Sequence, residues 1–199
     1  GMLMKIDLVL EENNTNSFQK SMDAEMDKPL KHFEKELLKV RTGRAHTSLI
    51  EDIQVACYGQ AALPLKSFAA LAAPEARLLT IQPWDPANIA DIEKAILTSD
   101  VGLTPINDGK IIRIQLPEMS SSRREELLKT LGKKVEECKV SMRNVRKEYN
   151  NLMKDAKKDK KISENFFNRL NDLLQTITDK FCAKADDLAE KKKKDITTV

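Results

Sequence analysis

Between Ser17 and Gly43 apolar residues recur at Phe18, Met22, Met26, Leu30, Phe33, Leu37 and Val40. The steps are all three or four residues, which places these side chains on one stripe of a helix. Pro29 falls inside the stripe, where it removes a backbone donor and crowds the preceding turn. The phase is kept on both sides, so the pattern predicts one kinked helix rather than two.

The same periodicity returns near the end of the chain. Leu128, Leu131, Val135, Cys138, Met142, Val145, Tyr149, Leu152 and Ala156 alternate steps of three and four, a coiled-coil spacing. Ser120, Ser121 or Ser122 can cap this helix, and Ser122 with Glu125 would form a capping box. Thirty-odd residues make a rod of roughly 50–60 Å. After the basic turn Lys157–Lys161, Ser163 caps a last helix with a stripe at Phe167, Leu170, Leu174, Ile177, Phe181, Ala185 and Leu188. The turn is short, so these two helices run antiparallel. Three narrow apolar seams bury one another in an elongated antiparallel three-helix bundle.

The middle of the chain differs. Prolines and glycines gather there, and short β-like runs occur at Ile53–Tyr58, Leu78–Gln82 and Ile111–Leu116. In the last, Ile112, Ile114 and Leu116 alternate with polar partners, as in a half-buried strand. Pro86–Ser99 predicts a helix with Ile89, Ile92, Ala95 and Ile96 on its apolar face. The fold class is therefore α+β, with a small α/β domain inserted into the bundle. Residues 1–43 and 119–199 form the discontinuous bundle domain and 44–118 the insert. The chain crosses near Thr42–Arg44 and Pro117–Met119.

Charge sorts by segment. Residues 1–44 carry eight basic and eight acidic side chains, 45–118 carry five and nine, and 119–199 carry twenty-one and fourteen. The excess positive charge thus lies on the two long helices. Lys139, Arg143, Arg146, Lys147 and Lys154 form a basic stripe beside the apolar seam. Arg123 and Arg124 open the same helix, and Arg41 and Arg44 follow the first. A planar guanidinium suits phosphate oxygens, and a stiff rod with a basic stripe suits structured RNA read by backbone and shape. Long helices also carry such charges merely as solvated faces, and Glu136 and Glu137 are available as ion-pair partners for the arginines. For the lysine runs 157–161 and 191–194 solvation or helix-end effects are the preferred explanation.

Catalytic motifs are missing: no phosphate loop, no HExxH, no CxxC pair and no glycine-rich dinucleotide turn. Cys57, Cys138 and Cys182 are an odd, well-separated set, best explained as free thiols in a reducing compartment. His32 belongs on the surface, and His46 has a structural role at the crossing. Trp84-Asp85 is expected to be a packing anchor followed by a helix N-terminal acid. No metal, cofactor or membrane span is expected. The chain is expected to be a monomeric cytoplasmic binding protein, not an enzyme.

The run Lys39-Val40-Arg41-Thr42-Gly43-Arg44-Ala45, with Ser48-Leu49, resembles the signature segment of ribosome recycling factors. The resemblance continues in family order through Tyr58-Gly59, Pro64-Leu65, Glu93-Lys94-Ala95-Ile96, Ser99-Asp100-Val101-Gly102-Leu103, Ile112-Arg113-Ile114 and Leu116-Pro117. It ends with Arg123-Arg124-Glu125-Glu126-Leu127, Arg143-Asn144-Val145-Arg146 and Lys160-Lys161-Ile162-Ser163-Glu164. It implies a bundle with a smaller domain set at an angle, similar in outline to a transfer RNA. It implies binding to ribosomal RNA of the large subunit after termination. It also implies that elongation factor G, a partner that hydrolyses GTP, drives subunit separation. The RNA contacts implied by matching motif are Arg41, Arg44, Arg123, Arg124, Arg143 and Arg146, with Arg146 foremost and Lys139 and Lys147 extending the stripe. The implied hinge is Thr42, Gly43, Arg44, Leu116 and Pro117. This chain departs from the family in its longer N-terminal segment, in Pro29, in Cys57 and in the loop Gly59 to Pro64. A generic ribosome-binding helical protein without splitting activity is the alternative, and a protein-binding adaptor a further one.

Overall fold

The computed structural model describes residues 6–197. It divides into two compact units, one reaching Val40 and resuming over Glu125–Lys194, the other Arg41–Arg124 with the last helical turn from Asp195.

The first unit holds α1, Thr15–Leu38, together with α3, Ser121–Lys158, except its first turn, and α4, Glu164–Thr197, except its last turn. The predicted stripe of α1 is buried at every position, Phe18 to Leu37, although the helix ends at Leu38 and Val40 is buried beyond it. Asn14, not Ser17, begins the helix, its Oδ1 accepting from the Ser17 amide at 3.3 Å. The helix runs unbroken through Pro29. Ser120 rather than Ser122 caps α3, because its Oγ accepts the Arg123 amide at 3.2 Å. On α3 and α4 the seam is as expected at its centre but moves by one residue at the ends. Leu127 replaces Leu128, Met153 replaces Leu152 and Phe166 replaces Phe167 among the buried positions.

Side-chain contacts give the helix directions. Ser21 Oγ lies 2.5 Å from Tyr149 Oη, Phe18 meets the Tyr149 ring edge-on, and Lys134 pairs with Glu36. Early α1 thus faces late α3, an antiparallel pair. Lys139 pairs with Asp186 and Lys157 with Glu164, so α3 and α4 are antiparallel too. Residues ahead of α1 cover the start of α4. The Glu12 carboxylate accepts from the Ser163 amide at 2.8 Å and from its hydroxyl, and these two bonds hold its pKa below the usual carboxylate range. Ser163 Oγ in turn accepts from the Phe166 amide, which confirms it as a cap.

The second unit is a four-stranded antiparallel sheet, order β3-β4-β6-β5, with one helix. The strands are β3 Ala69–Glu75, β4 Leu78–Pro83, β5 Pro105–Asn107 and β6 Ile112–Gln115; β1 Gln54–Val55 and β2 Leu63–Pro64 make a separate pair. Helix α2, Ile89–Thr98, follows a 3-10 turn at Pro86–Asn88 and packs on β5 and β1. Ile92 and Ile96 meet a core that includes Leu79, Ile81, Ile112 and Ile114. The predicted alternation of β6 holds, with Ile112 and Ile114 buried and Arg113 and Gln115 exposed. Trp84 is not a packing anchor. It is 66% exposed, because inward Leu79, Ile81 and Pro83 put residue 84 on the outer side. Asp85 does act as the N-terminal acid, accepting the Ala87 amide at 3.0 Å. His46 caps a 3-10 turn, Nδ1 accepting from the Ser48 amide at 3.1 Å.

Candidate nucleic-acid interface

Helix α3 turns about 100° per residue, so positions 139, 143, 146, 147 and 154 fall within one arc beside the seam that buries Met142, Val145 and Tyr149. The structure separates these cations by their partners. Lys139 Nζ sits 2.7 Å from Asp186 Oδ1 and its side chain is only 25% exposed; the hydrogen bond it donates to Asp186 raises its pKa. Arg143 Nη2 reaches back one heptad to Glu136 Oε1 at 2.5 Å, with both side chains more than half exposed. Arg146 is half-buried and Lys147 exposed, and neither has an ion pair or side-chain hydrogen bond among the described residues. Lys154 is likewise exposed and unpaired among them.

The remaining predicted cations belong to the second unit. Arg41 is exposed and unpaired among the described residues. Arg44 lies 3.8 Å from Asp195. Arg123 is exposed in the first turn of α3, and Arg124 is half-buried there with Nε shielded and without a partner. Two groups of cations are therefore present, one along the middle of α3 in the bundle and one where the chain enters and leaves the small unit.

The predicted hinge residues also lie in the second unit. Gly43 has φ +69°, a left-handed conformation that suits glycine. The Ala45 amide donates to Ala76 O and the Leu116 amide to Arg77 O, each at 2.7 Å. Sequence reasoning passed over Arg77. A single arginine between two apolar runs reads as a solvated turn residue, yet it is 6% exposed and its Nη1 donates to Gly43 O at 2.5 Å.

Among the described residues no three His, Cys, Asp or Glu side chains are placed to hold a metal ion. No helix among them is long and apolar enough to cross a membrane. Cys57, Cys138 and Cys182 are free, and burial raises all three thiol pKa values, Cys138 to about 11. None is an activated thiolate.

Comparison with known proteins places this arrangement in context. A family model described as ribosome recycling factor matches residues 33–197. The chain is 47% identical over 180 residues to the ribosome-recycling factor of Solidesulfovibrio magneticus, spanning 90% of this chain and 97% of that protein. It is 48% identical over 171 residues to that of Desulfatibacillum aliphaticivorans, spanning 86% and 92%. Among solved structures it is similar to a solution structure of the ribosome recycling factor, with 35% identity and TM-score 0.56 over 91% of this chain and 96% of the other. It also resembles a chain from an assembly of the T. thermophilus ribosome recycling factor and E. coli elongation factor G on the E. coli post-termination complex. There the identity is 38% and the TM-score 0.52, covering 89% of this chain and 95% of that one.

Proposed function

The chain belongs to the ribosome recycling factor family, and from this membership we propose that it binds the large ribosomal subunit after termination and promotes splitting of the ribosome together with elongation factor G and GTP. It acts as a binding factor, not an enzyme; hydrolysis of GTP belongs to the partner. A monomer in the cytoplasm suffices for this task.

The bundle supplies the RNA-binding face. The observation that carries this assignment is the pair Arg146 and Lys147, cations beside the seam with no internal partner among the described residues. An unpaired guanidinium on a stiff helix is available to phosphate without first breaking an ion pair. Arg143 and Lys139 extend the face but are partly neutralised by Glu136 and Asp186. Arg41, Arg44, Arg123 and Arg124 form a second cationic group for RNA backbone. Thr42-Gly43-Arg44 and Leu116-Pro117 serve as the hinge, and the acidic α/β unit faces the protein partner.

Light scattering of post-termination ribosomes, with elongation factor G and GTP, tests the proposal. The wild type is expected to lower scattering, and Arg146→Ala to slow that loss sharply. Splitting left intact by Arg146→Ala would remove that residue from the contact. Ribosome binding without any splitting by the wild type would favour a generic ribosome-binding protein.

A further inference from the structure

Where the small unit receives and releases the chain, both passing segments converge on one residue. Arg77 stands in the turn between β3 and β4. Its carbonyl accepts the amide of Leu116, on the outgoing segment. Its guanidinium donates to the carbonyl of Gly43, on the incoming segment, and the neighbouring Ala76 carbonyl accepts the amide of Ala45. A Cβ added at Gly43 would stand 3.2 Å from Arg77 Nη1 and 3.8 Å from Met119 Cε. Gly43 thus lies close to the Arg77 guanidinium and also to Met119, from the far side of the insert in sequence.

This placement is an expensive way to fill space. An arginine carries five N–H donors and a permanent charge. Arg77 is 6% exposed, has no ion pair among the described residues, and leaves Nε shielded without a partner. A buried charge without a counter-ion is strongly disfavoured, and a methionine of similar reach would fill the volume without that cost. Only the arginine reaches a carbonyl on the incoming segment while its own backbone holds the outgoing one.

We propose that Arg77 is a positioning residue for ribosome splitting: it ties the entry segment at Gly43–Ala45 to the exit segment at Leu116, so that the two crossings of the hinge move as one when the small unit is driven. The inference rests on the splitting function proposed above. It predicts that loss of the guanidinium uncouples the connection while the RNA-binding cations of the bundle are untouched.

The test compares the wild type with Arg77→Met and Arg77→Lys in three assays: affinity for isolated large subunits, splitting with elongation factor G and GTP, and backbone amide exchange. Arg77→Met should bind large subunits within about twofold of the wild type yet split ribosomes about tenfold more slowly, a barrier change confined to the driven step. Arg77→Lys, which keeps one donor and the charge, should recover part of the rate. Amide exchange at Ala45 and Leu116 should quicken in Arg77→Met. If Arg77→Met fails to fold, Arg77→Gln, a shorter neutral side chain that cannot reach as the guanidinium does, should give the same selective loss of splitting.

Equal splitting rates for a folded Arg77→Met and the wild type would overturn the inference, as would unchanged protection at Ala45 and Leu116. A parallel loss of large-subunit binding would also overturn it, by showing a general structural role. Failure of the wild type to split ribosomes would instead sink the functional premise, and the exchange result would still decide whether Arg77 ties the two segments.

Discussion

Removing an acid from the candidate RNA face should tighten RNA binding, and the structure says which acid. Arg143 is held by Glu136 through a 2.5 Å contact between side chains 54% and 62% exposed. An exposed ion pair of this kind is worth about 0.2–1 kcal/mol, since water and salt screen it. Arg143 must surrender that pair before it can serve a phosphate, and Glu136 then remains as a nearby like charge. Glu136→Gln removes both penalties. By the relation of about 1.4 kcal/mol per tenfold, the gain in affinity for large ribosomal subunits should be about 1.4- to 5-fold. Arg146 has no such pair among the described residues, so Arg146→Ala should cost more than Arg143→Ala.

Fluorescence anisotropy of labelled protein against isolated large subunits, between about 50 and 200 mM salt, measures both effects. Arg146→Ala should flatten the dependence of log K on log salt by about 0.7–0.9, the share of one phosphate contact. Glu136→Gln should leave the slope no shallower than the wild type and should lose its benefit in an Arg143→Ala background. Weaker binding by Glu136→Gln, or equal losses from Arg143→Ala and Arg146→Ala, would refute the claim that internal pairing ranks these cations.

Two further predictions concern the bundle. Pro29 stands inside α1, where proline costs about 3 kcal/mol by removing a donor and crowding the turn before it. Pro29→Ala returns an amide to the Glu25 carbonyl and keeps the Pro29 carbonyl that Cys138 Sγ meets at 3.5 Å, so the urea midpoint should rise with an unchanged m value. An unchanged or lower midpoint would mean that the proline ring itself packs usefully beside Phe33 and Val145. Glu36 is bonded by Lys134 and, secondarily, by Lys39, which lowers its pKa to about 2. Because the folded value lies below the unfolded one, this contribution is complete above pH about 4.5 and fades as pH falls toward about 2. Thermal melts should therefore show Glu36→Gln less stable than the wild type at neutral pH, with the gap closing at pH 2; a gap independent of pH would rule out the ion pair as its source.

The bundle was legible because its seams repeat, and the departures follow from how the repeat was counted. Strict alternation of three and four treats the helix as having 3.5 residues per turn, whereas α-helices have about 3.6. Starting from Met142, three turns at 3.6 land on Met153, and four turns back land between Leu127 and Leu128, where the strict repeat admits only Leu128. Met153 and Leu127, not Leu152 and Leu128, are the buried residues. The small unit was less legible at its edges. Only Ala69 of β3 is buried, and its alanines carry no β-like pattern; the strand exists because β4 pairs with it. β5, with Pro105, is the other edge of the same sheet. An edge strand answers to one neighbour, so its sequence need show little of its role.

The functional residues divide along the same line. The stripe from Lys139 to Lys154 is visible in sequence because helical spacing is local. Its ranking is not, because Lys139 is neutralised by Asp186, forty-seven positions away, through the register of α3 against α4. Arg77 is further from view, since its meaning depends on two segments, near Gly43 and Leu116, that meet only when the β3–β4 turn stands between them. What makes it conspicuous in the fold is a mismatch of chemistry and place: a permanent cation, nearly buried, spent on a single carbonyl. A residue required only for packing would shed that charge at no loss to the core. That the charge is present argues that the connection must be held by a directional bond, which a methionine cannot supply.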